Sequence, residues 1–192
     1  MLVGHSLGGR VALHYAARNV DRTKSIVFVD FGPDVDKATS AYIRNAIRSA
    51  HRTYRRVEDY VAVLSERYPF CDDNLLHQVA VESTRRSADR NFQLKYDPAV
   101  AGGEGRWKQP DHLSHCVEAW SLLSALQCEV VVMRGDISSF LSADVAKRMV
   151  SRGIRNARLI TVPKAGHSIQ LDNPTAVSEG MLRILSCDSH EE

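Results

Sequence analysis

The sequence of 192 residues predicts an α/β fold. In its first and last parts, short apolar segments of strand type alternate with stretches whose apolar residues recur at helical spacing. A Gly-rich hexapeptide, Gly-His-Ser-Leu-Gly-Gly at residues 4–9, joins the first strand to the first helix. Residues from about 34 to 114 break the alternation and carry several helical patterns in a row. These observations predict an α/β core with a helical insertion.

The first zone, residues 1–33, contains a strand, a turn, a helix and a second strand. Leu2 and Val3 have the apolar character of the end of a buried strand. The second strand is predicted over residues 24–30. The helix is predicted over residues 6–18, where apolar residues recur at helical spacing: Leu7, Val11, Ala12, Tyr15 and Ala16.

The middle zone is predicted to contain helices over residues 36–52, 57–68 and 73–86, each with one apolar stripe. An irregular stretch with Pro and Gly follows at residues 91–109. The basic residues between 44 and 56 are interpreted as the solvated face of these helices. The net charge of +2 and the lack of a binding motif give no support to a nucleic-acid partner.

The last zone returns to the alternation of strands and helices. Its predicted elements are a helix around 117–126, a strand at 129–133, a helix at 142–150, a strand at 158–162 and a final helix. The final helix has a clear start signal, with Asn173 as the N-cap and Pro174 in the first helical position.

The hexapeptide at residues 4–9 has a chemical meaning. A serine hydroxyl is a poor nucleophile until its geometry and a neighbouring base activate it. A sharp, strained turn from strand to helix raises the serine oxygen above the sheet. Such a turn has no room for side chains two positions before and after the serine, and we expect Gly4 and Gly8 to supply that room. Ser6 is therefore the candidate nucleophile.

The hexapeptide resembles the nucleophile elbow of the α/β-hydrolase superfamily, and the resemblance extends along the chain. Three further segments resemble parts of that fold, namely 27–33 (the next strand and its exit), 130–135 (the strand before the acid loop) and 159–168 (the last strand and the histidine loop). The chain order Ser, acid, His is also that of the superfamily.

This resemblance implies the C-terminal part of an α/β-hydrolase fold, with a mostly parallel sheet and helices on both faces. Residues 1–33 and 115–192 are expected to form the core, and residues 34–114 a helical cap over the active site. It also implies a carboxylesterase-like serine hydrolase that acts on an ester, a lactone or a C–C bond next to a carbonyl. Tyr60, Tyr68, Phe70 and Trp107 are the candidate substrate-binding residues of the cap.

The expected general base is His167. An imidazole titrates near neutral pH and is therefore suited to general-base work. His167 follows a predicted strand and Gly166, on a loop before the final helix. This position places it at the carboxyl end of the sheet, where Ser6 is also expected. His5 is interpreted as support for the elbow.

Two carboxylates are candidates for the acid that orients the base. In the superfamily it usually lies three residues after a Gly at the end of the penultimate strand, but the residue three after Gly135 is Ser138. Asp136 lies in the same loop, whereas Asp30 ends the preceding strand, from which some relatives such as certain haloalkane dehalogenases take their acid. We favour Asp30 over Asp136, and a chain without a functional acid is the third alternative.

The position of the elbow at residue 6 departs from the whole fold, in which four strands precede it. A loop among those strands supplies one backbone N–H to the oxyanion hole, and the residue after the nucleophile, here Leu7, supplies the other. We therefore expect roughly the C-terminal two-thirds of a hydrolase: a truncated product, a fragment of a split gene, or a piece completed by a partner. The first strand would expose a sheet edge that a second copy or the missing N-terminal half could pair with.

Composition sets the remaining expectations. Hydrophobic residues make up 44% and charged residues 25% of the chain, as is ordinary for a globular protein. No apolar run approaches the roughly 18 residues of a transmembrane helix, and no signal peptide is visible. The four cysteines have no paired spacing and are interpreted as free thiols in a reducing compartment, here the cytoplasm. We expect no metal ion, no cofactor and no membrane partner.

Two hypotheses of function follow from the sequence. The first is a serine hydrolase in which Ser6 attacks a carbonyl of a small ester or ketone substrate, His167 moves the proton and Leu7 contributes to oxyanion binding. The second is a catalytically impaired fragment or interaction module that retains the hydrolase fold and acts through its open sheet edge.

Overall fold

The computed structural model describes residues 1–34, 52–97 and 112–187, together with isolated positions between 38 and 45, and it describes no side chains at 112–115 and 185–187. The chain divides into two compact units. The first consists of Met1–Val35 and Pro110–Glu192, and the second of Asp36–Gln109. Within the described residues, no helix has both the length and the apolar character that a bilayer crossing requires.

Strands and helices alternate in the first and last parts of the chain, as the sequence predicts, and the middle part contains both as well. They are β1 Leu2–His5, α1 Leu7–Arg18, β2 Ser25–Val29, β3 Thr53–Tyr54, α2 Val57–Arg67, α3 Asp73–Ser83, β4 Thr84–Arg86, β5 Phe92–Leu94, α4 His112–Ser124, β6 Glu129–Gly135, α5 Ala143–Arg148, β7 Ala157–Val162, α6 Ile169–Asp172 and α7 Pro174–Cys187. A 3₁₀ turn, Val20–Arg22, follows α1, and a π turn, Met149–Gly153, follows α5.

The first unit is built on a four-stranded sheet in the order β1-β2-β6-β7, and all neighbouring strands are parallel. The register aligns the last residues of β1 and β2, because His5 pairs with Val29, and it places both beside Met133, two residues before the end of β6. Residues that directly follow these strands therefore emerge at one edge of the sheet. The predicted α/β fold with a parallel sheet is confirmed.

Alternate residues of the central strands pack on opposite faces of this sheet. One face holds a cluster with the helices α1 and α4: Leu13, Ile26, Phe28, Leu123, Val130 and Val132. The other holds a cluster with α6 and α7: Val27, Val29, Val131, Met133, Ile169 and Ile184. Burial on both faces explains why β2 and β6 have nearly continuous apolar sequences rather than an alternating pattern.

The second unit differs from the run of helices that the sequence predicts. Besides α2 and α3 it contains a three-stranded antiparallel sheet in the order β3-β5-β4. The helix predicted over 73–86 ends at Ser83, and Thr84 begins β4 with its hydroxyl bonded to the carbonyl of Ala80 at 2.8 Å. The helix predicted over 36–52 lies mostly outside the described residues. The role of residues 34–114 as a cap stays a prediction.

Asp34 fastens the segment at which the chain leaves the first unit. Its Oδ1 accepts a hydrogen bond from Trp120 Nε1 of α4 at 2.8 Å, and its Oδ2 pairs with Arg148 Nη1 of α5 at 3.3 Å. The Arg148 guanidinium also lies 4.7 Å from the centre of the Trp120 ring. One carboxylate thus ties the exit after β2 to the helix by which the chain returns.

β1 forms an edge of the four-stranded sheet, since among the described strands it pairs with β2 alone. Large apolar side chains on β1 and α1 are exposed: Val3, Leu7, Val11 and Tyr15. Association through this edge, either with a second copy or with an N-terminal half, stays a prediction.

Candidate active site

Ser6 occupies a strained turn between β1 and α1. Its φ of 51° and ψ of −116° lie in a region that residues other than glycine rarely adopt. The turn is held by its own backbone, because Ser6 N donates to Val29 O at 3.1 Å and Ser6 O accepts from Gly9 N at 3.0 Å. Such strain clusters at functional sites. The predicted sharp turn from strand to helix is present.

The three glycines around Ser6 have different packing roles. A Cβ on Gly4 would lie 2.4 Å from Gly8 O, and a Cβ on Gly9 would lie 2.6 Å from the Phe31 Cβ, so both positions require glycine. A Cβ on Gly8 would meet no atom within 4 Å. The expectation that Gly8 supplies necessary room is therefore wrong, because its missing side chain points away from the turn.

This difference gives a prediction on stability. Gly4→Ala should lower the free energy of unfolding by roughly 3 kcal/mol, because the new methyl group meets backbone atoms that cannot move aside. Gly8→Ala should raise it by about 0.5–1 kcal/mol, because alanine is favoured over glycine inside a helix. Urea unfolding followed by circular dichroism measures both variants. Equal destabilisation by the two substitutions would contradict this account of the turn.

His167 and Asp30 complete a chain of hydrogen bonds with Ser6. His167 follows β7, and its Nε2 lies 3.0 Å from Ser6 Oγ. Its Nδ1 lies 2.8 Å from Oδ2 of Asp30, which directly follows β2 and is 2% exposed. A carboxylate only accepts hydrogen bonds, so Nδ1 carries the imidazole proton and Nε2 is left to accept the proton of the Ser6 hydroxyl. The arrangement can therefore take a proton from Ser6 while it forms a bond to an electrophile.

Asp30 is held by two further donors from the segment after β6. Gly135 N donates to Asp30 Oδ1 at 3.1 Å, and Ser138 Oγ donates to Asp30 Oδ2 at 2.5 Å. Asp30 itself has a positive φ of 45°. Ser138 stands at the position where the sequence resemblance leads one to expect the acid. The Asp30 carboxylate, which follows the neighbouring strand β2, thus lies beside the position at which the acid is expected.

The alternative acid, Asp136, has a different partner. Its Oδ1 accepts a hydrogen bond from Ala165 N at 3.1 Å, and this bond is the main cause that lowers the pKa of the exposed carboxyl. Among the described contacts of Asp136 there is none with His167. Asp136 therefore fastens the backbone of the histidine loop, and the geometry favours Asp30 as the acid.

Two aromatic rings that the sequence did not assign to the site contact His167. Phe140 stacks on the imidazole with ring centres 3.7 Å apart and planes 11° apart. The His5 ring centre is 4.7 Å from that of His167, and His5 Nε2 donates to the His167 carbonyl at 2.9 Å. Burial lowers the pKa of His5, which favours this neutral donor form. No spacing rule in the sequence points to either contact.

Leu7 stands at the first position of α1, with its side chain 73% exposed. First-turn N–H groups have no acceptor within their own helix, so the Leu7 N–H is suited to bind an anion next to Ser6. The predicted oxyanion role of Leu7 stays a prediction. Within the described ranges, no group of three or more His, Cys, Asp or Glu side chains could hold a metal ion.

The predicted substrate-binding residues belong to the second unit. Tyr60 is half-buried against Tyr54, with ring centres 5.1 Å apart, and burial raises its pKa. Tyr68 is half-buried, Phe70 is exposed, and Trp107 lies outside the described residues. Their role in binding a substrate stays a prediction.

Comparison with known proteins gives relatives that are hydrolases. The chain is 25% identical over 185 residues to the esterase Rv0045c of Mycobacterium tuberculosis, a match that covers 93% of this chain and 58% of the esterase. It is 25% identical over 174 residues to 2-(acetamidomethylene)succinate hydrolase of Mesorhizobium japonicum, covering 91% of this chain and 59% of that enzyme. The chain thus spans about three-fifths of the length of these relatives.

Solved structures show the same fold. The crystal structure of E-2-(acetamidomethylene)succinate hydrolase matches with a TM-score of 0.80 over 96% of this chain and 66% of that one, and at 19% identity this likeness shows the fold alone. An α/β hydrolase from Novosphingobium aromaticivorans matches with a TM-score of 0.75 and 28% identity over 94% of this chain and 63% of that one. The sequence profile described as the alpha/beta hydrolase fold matches residues 1–174. The chain therefore belongs to the α/β hydrolase fold family.

Proposed function

We propose that this chain is a serine hydrolase that cleaves a carbonyl substrate, namely a carboxylic ester, a lactone or a C–C bond, with Ser6, His167 and Asp30 as its catalytic residues. The observation that carries the proposal is the continuous chain of hydrogen bonds from Ser6 Oγ to His167 and on to Asp30, at 3.0 Å and 2.8 Å. The relatives named as an esterase and as a hydrolase support the same class of reaction.

The proposed reaction begins with attack of Ser6 Oγ on the substrate carbonyl. A new C–O bond forms, the hydroxyl proton passes to His167 Nε2, and the carbonyl electron pair moves onto the oxygen. Asp30 stabilises the imidazolium through Nδ1, and the Leu7 N–H donates to the oxyanion. The tetrahedral intermediate then expels the leaving group, which takes the proton from His167. Water then attacks the acyl ester on Ser6 and gives a proton to His167 Nε2, and the acid is released as Ser6 Oγ leaves with that proton.

The buried position of Asp30 supports its role in this reaction. A charge in low-dielectric surroundings interacts more strongly with a nearby imidazolium than an exposed charge does. Asp30 is 2% exposed and accepts hydrogen bonds from Gly135 N and Ser138 Oγ, which keep the carboxylate oriented. Asp136, by contrast, is exposed.

The proposed compartment is the cytoplasm and the proposed partner is a small-molecule substrate. Both come from the sequence and the resemblance rather than from the geometry of the site. The relatives do not decide between an ester and another carbonyl substrate for this chain.

A fluorophosphonate probe tests the proposed function directly, because it forms a covalent bond only with an activated serine oxygen. We expect one probe molecule per folded chain, located by mass spectrometry on the tryptic peptide of residues 1–10, in which Ser6 is the only serine. Chain unfolded in urea is the control and should remain unlabelled. An unlabelled folded chain would favour the non-catalytic interaction module instead. A series of p-nitrophenyl esters of increasing acyl length then measures turnover.

A further inference from the structure

We propose that Ser138 is a positioning residue that fixes the orientation of the Asp30 carboxylate toward His167. This inference rests on the proposed function of the site and assigns a residue that acts through Asp30. Ser138 is 6% exposed, and its Oγ lies 2.5 Å from Asp30 Oδ2. The same Oδ2 accepts the Nδ1 proton of His167 at 2.8 Å.

The direction of the Ser138 hydrogen bond follows from counting its donors and acceptors. Ser138 Oγ accepts from Phe140 N at 3.1 Å and from Leu141 N at 3.2 Å. These two bonds use the two lone pairs of the hydroxyl oxygen. Its single proton is therefore directed at Asp30 Oδ2, which accepts it.

Arg134 holds the segment that carries Ser138. Its guanidinium donates to three backbone carbonyls of that segment: Nε to Leu141 O at 2.7 Å, Nη1 to Asp136 O at 3.1 Å and Nη2 to Ser138 O at 3.3 Å. Arg134 is only 8% exposed. A guanidinium presents its donors in a rigid planar fork, so the backbone from 136 to 141 is fastened at three points. The Ser138 hydroxyl is therefore fixed in place before any substrate arrives.

Each of the two donors holds a different oxygen of the Asp30 carboxylate. Gly135 N fixes Oδ1, and Ser138 fixes Oδ2, the oxygen that also receives the His167 proton. The terminal torsion of an aspartate is soft and has broad minima. Without Ser138 the carboxylate can rotate about this torsion, and its hydrogen bond to Nδ1 loses its fixed direction. Ser138 thus affects the rate through the orientation of the acid, without touching a substrate.

The kinetic test compares Ser138→Ala with Ser178→Ala, the same change at an exposed position of α7. Ser138→Ala should lower kcat on a p-nitrophenyl ester roughly 10- to 100-fold, as expected for the loss of one hydrogen bond to a charged group. KM should stay within about twofold, because Ser138 does not bind substrate. Ser178→Ala should leave kcat within about twofold of the unaltered chain. Thermal unfolding of both variants confirms that they are folded. If Ser138→Ala is unstable, Ser138→Cys replaces it, because a thiol is of similar size but is a weak hydrogen-bond donor.

A double-mutant cycle separates positioning from a structural role. In the Asp30→Asn background, adding Ser138→Ala should change the rate of fluorophosphonate labelling by less than about twofold, because the charge that Ser138 orients is already gone. A residue that only stabilises the segment would lower the labelling rate by the same factor in both backgrounds. That result would overturn the proposal.

Proton NMR tests the same inference even if the chain turns over no ester. The hydrogen-bonded Nδ1 proton of His167 should give a downfield resonance, identified by its absence in Asp30→Asn. Ser138→Ala should shift or broaden this resonance, and Ser178→Ala should leave it unchanged. An unchanged resonance in Ser138→Ala overturns the positioning role, whereas a normal resonance in a chain without labelling or turnover counts against the hydrolase function alone.

Discussion

Replacing Ser6 with alanine is expected to abolish ester hydrolysis by this chain. The substitution removes the oxygen that forms the covalent bond to the substrate and that lies 3.0 Å from His167 Nε2. Loss of the nucleophile costs about 10⁶ in kcat in a well-studied serine protease, so a loss of that order is expected here. Steady-state hydrolysis of p-nitrophenyl esters measures the loss.

A matched control for Ser6→Ala is Ser178→Ala, the same chemical change at an exposed position of α7. This control should retain full turnover, and both variants should show the circular dichroism spectrum of the unaltered chain. The Ser6 variant should also fail to react with the fluorophosphonate probe. If Ser6→Ala kept more than a few per cent of the turnover, the reaction would have to use another nucleophile.

Asp30→Asn is expected to lower kcat by about 10⁴, the size of effect seen when the acid of a Ser-His-Asp triad becomes an amide. The amide nitrogen donates a hydrogen bond where the carboxylate accepted one. His167 is then favoured in the tautomer with its proton on Nε2, which cannot accept the proton of Ser6. The buried donors Gly135 N and Ser138 Oγ also lose their charged acceptor. KM should change much less than kcat.

Asp136→Asn is the comparison that decides between the two candidate acids. Asp136 accepts a hydrogen bond from Ala165 N, and the asparagine oxygen can accept the same bond, so kcat should stay within about threefold. Steady-state kinetics of the two variants side by side gives the answer. The reverse ranking, with a large loss in Asp136→Asn and little in Asp30→Asn, would assign the acid to Asp136.

The α/β core was predictable because its signals are local. The hexapeptide around Ser6 and the apolar runs of β2, β6 and β7 each fit within a few residues, and alternation along the chain then predicts the α/β class. The strands β3, β4 and β5 were not predicted, because two or three residues are too few to develop a period of two. The expectation for Gly8 failed because the direction of its missing Cβ depends on how α1 leaves the turn.

The candidate site was predictable only in part. Ser6 and His167 follow strands and glycines in recognisable order, so the sequence alone singles them out. Asp30 and Asp136 both follow strands whose carboxyl ends share one edge of the sheet, so the sequence favours Asp30 without deciding between them. The structure separates them through contacts between distant segments, above all that of His167 Nδ1 with Asp30. The stacking of Phe140 on His167 is likewise a tertiary contact, and no sequence pattern indicates it.

The bond between Trp120 and Asp34 has a consequence for how such a protein can diversify in evolution. Asp34 lies where the chain leaves the first unit and is bonded to Trp120. The chain returns through α4, and Trp120 lies about 12 Å along this helix from its first residue. A segment whose two ends attach at neighbouring points can be exchanged by recombination without moving the rest of the domain. Ser6, Asp30 and His167 all lie outside residues 36–109. Selection can therefore rework or replace that entire segment while the proposed chemistry is inherited unchanged.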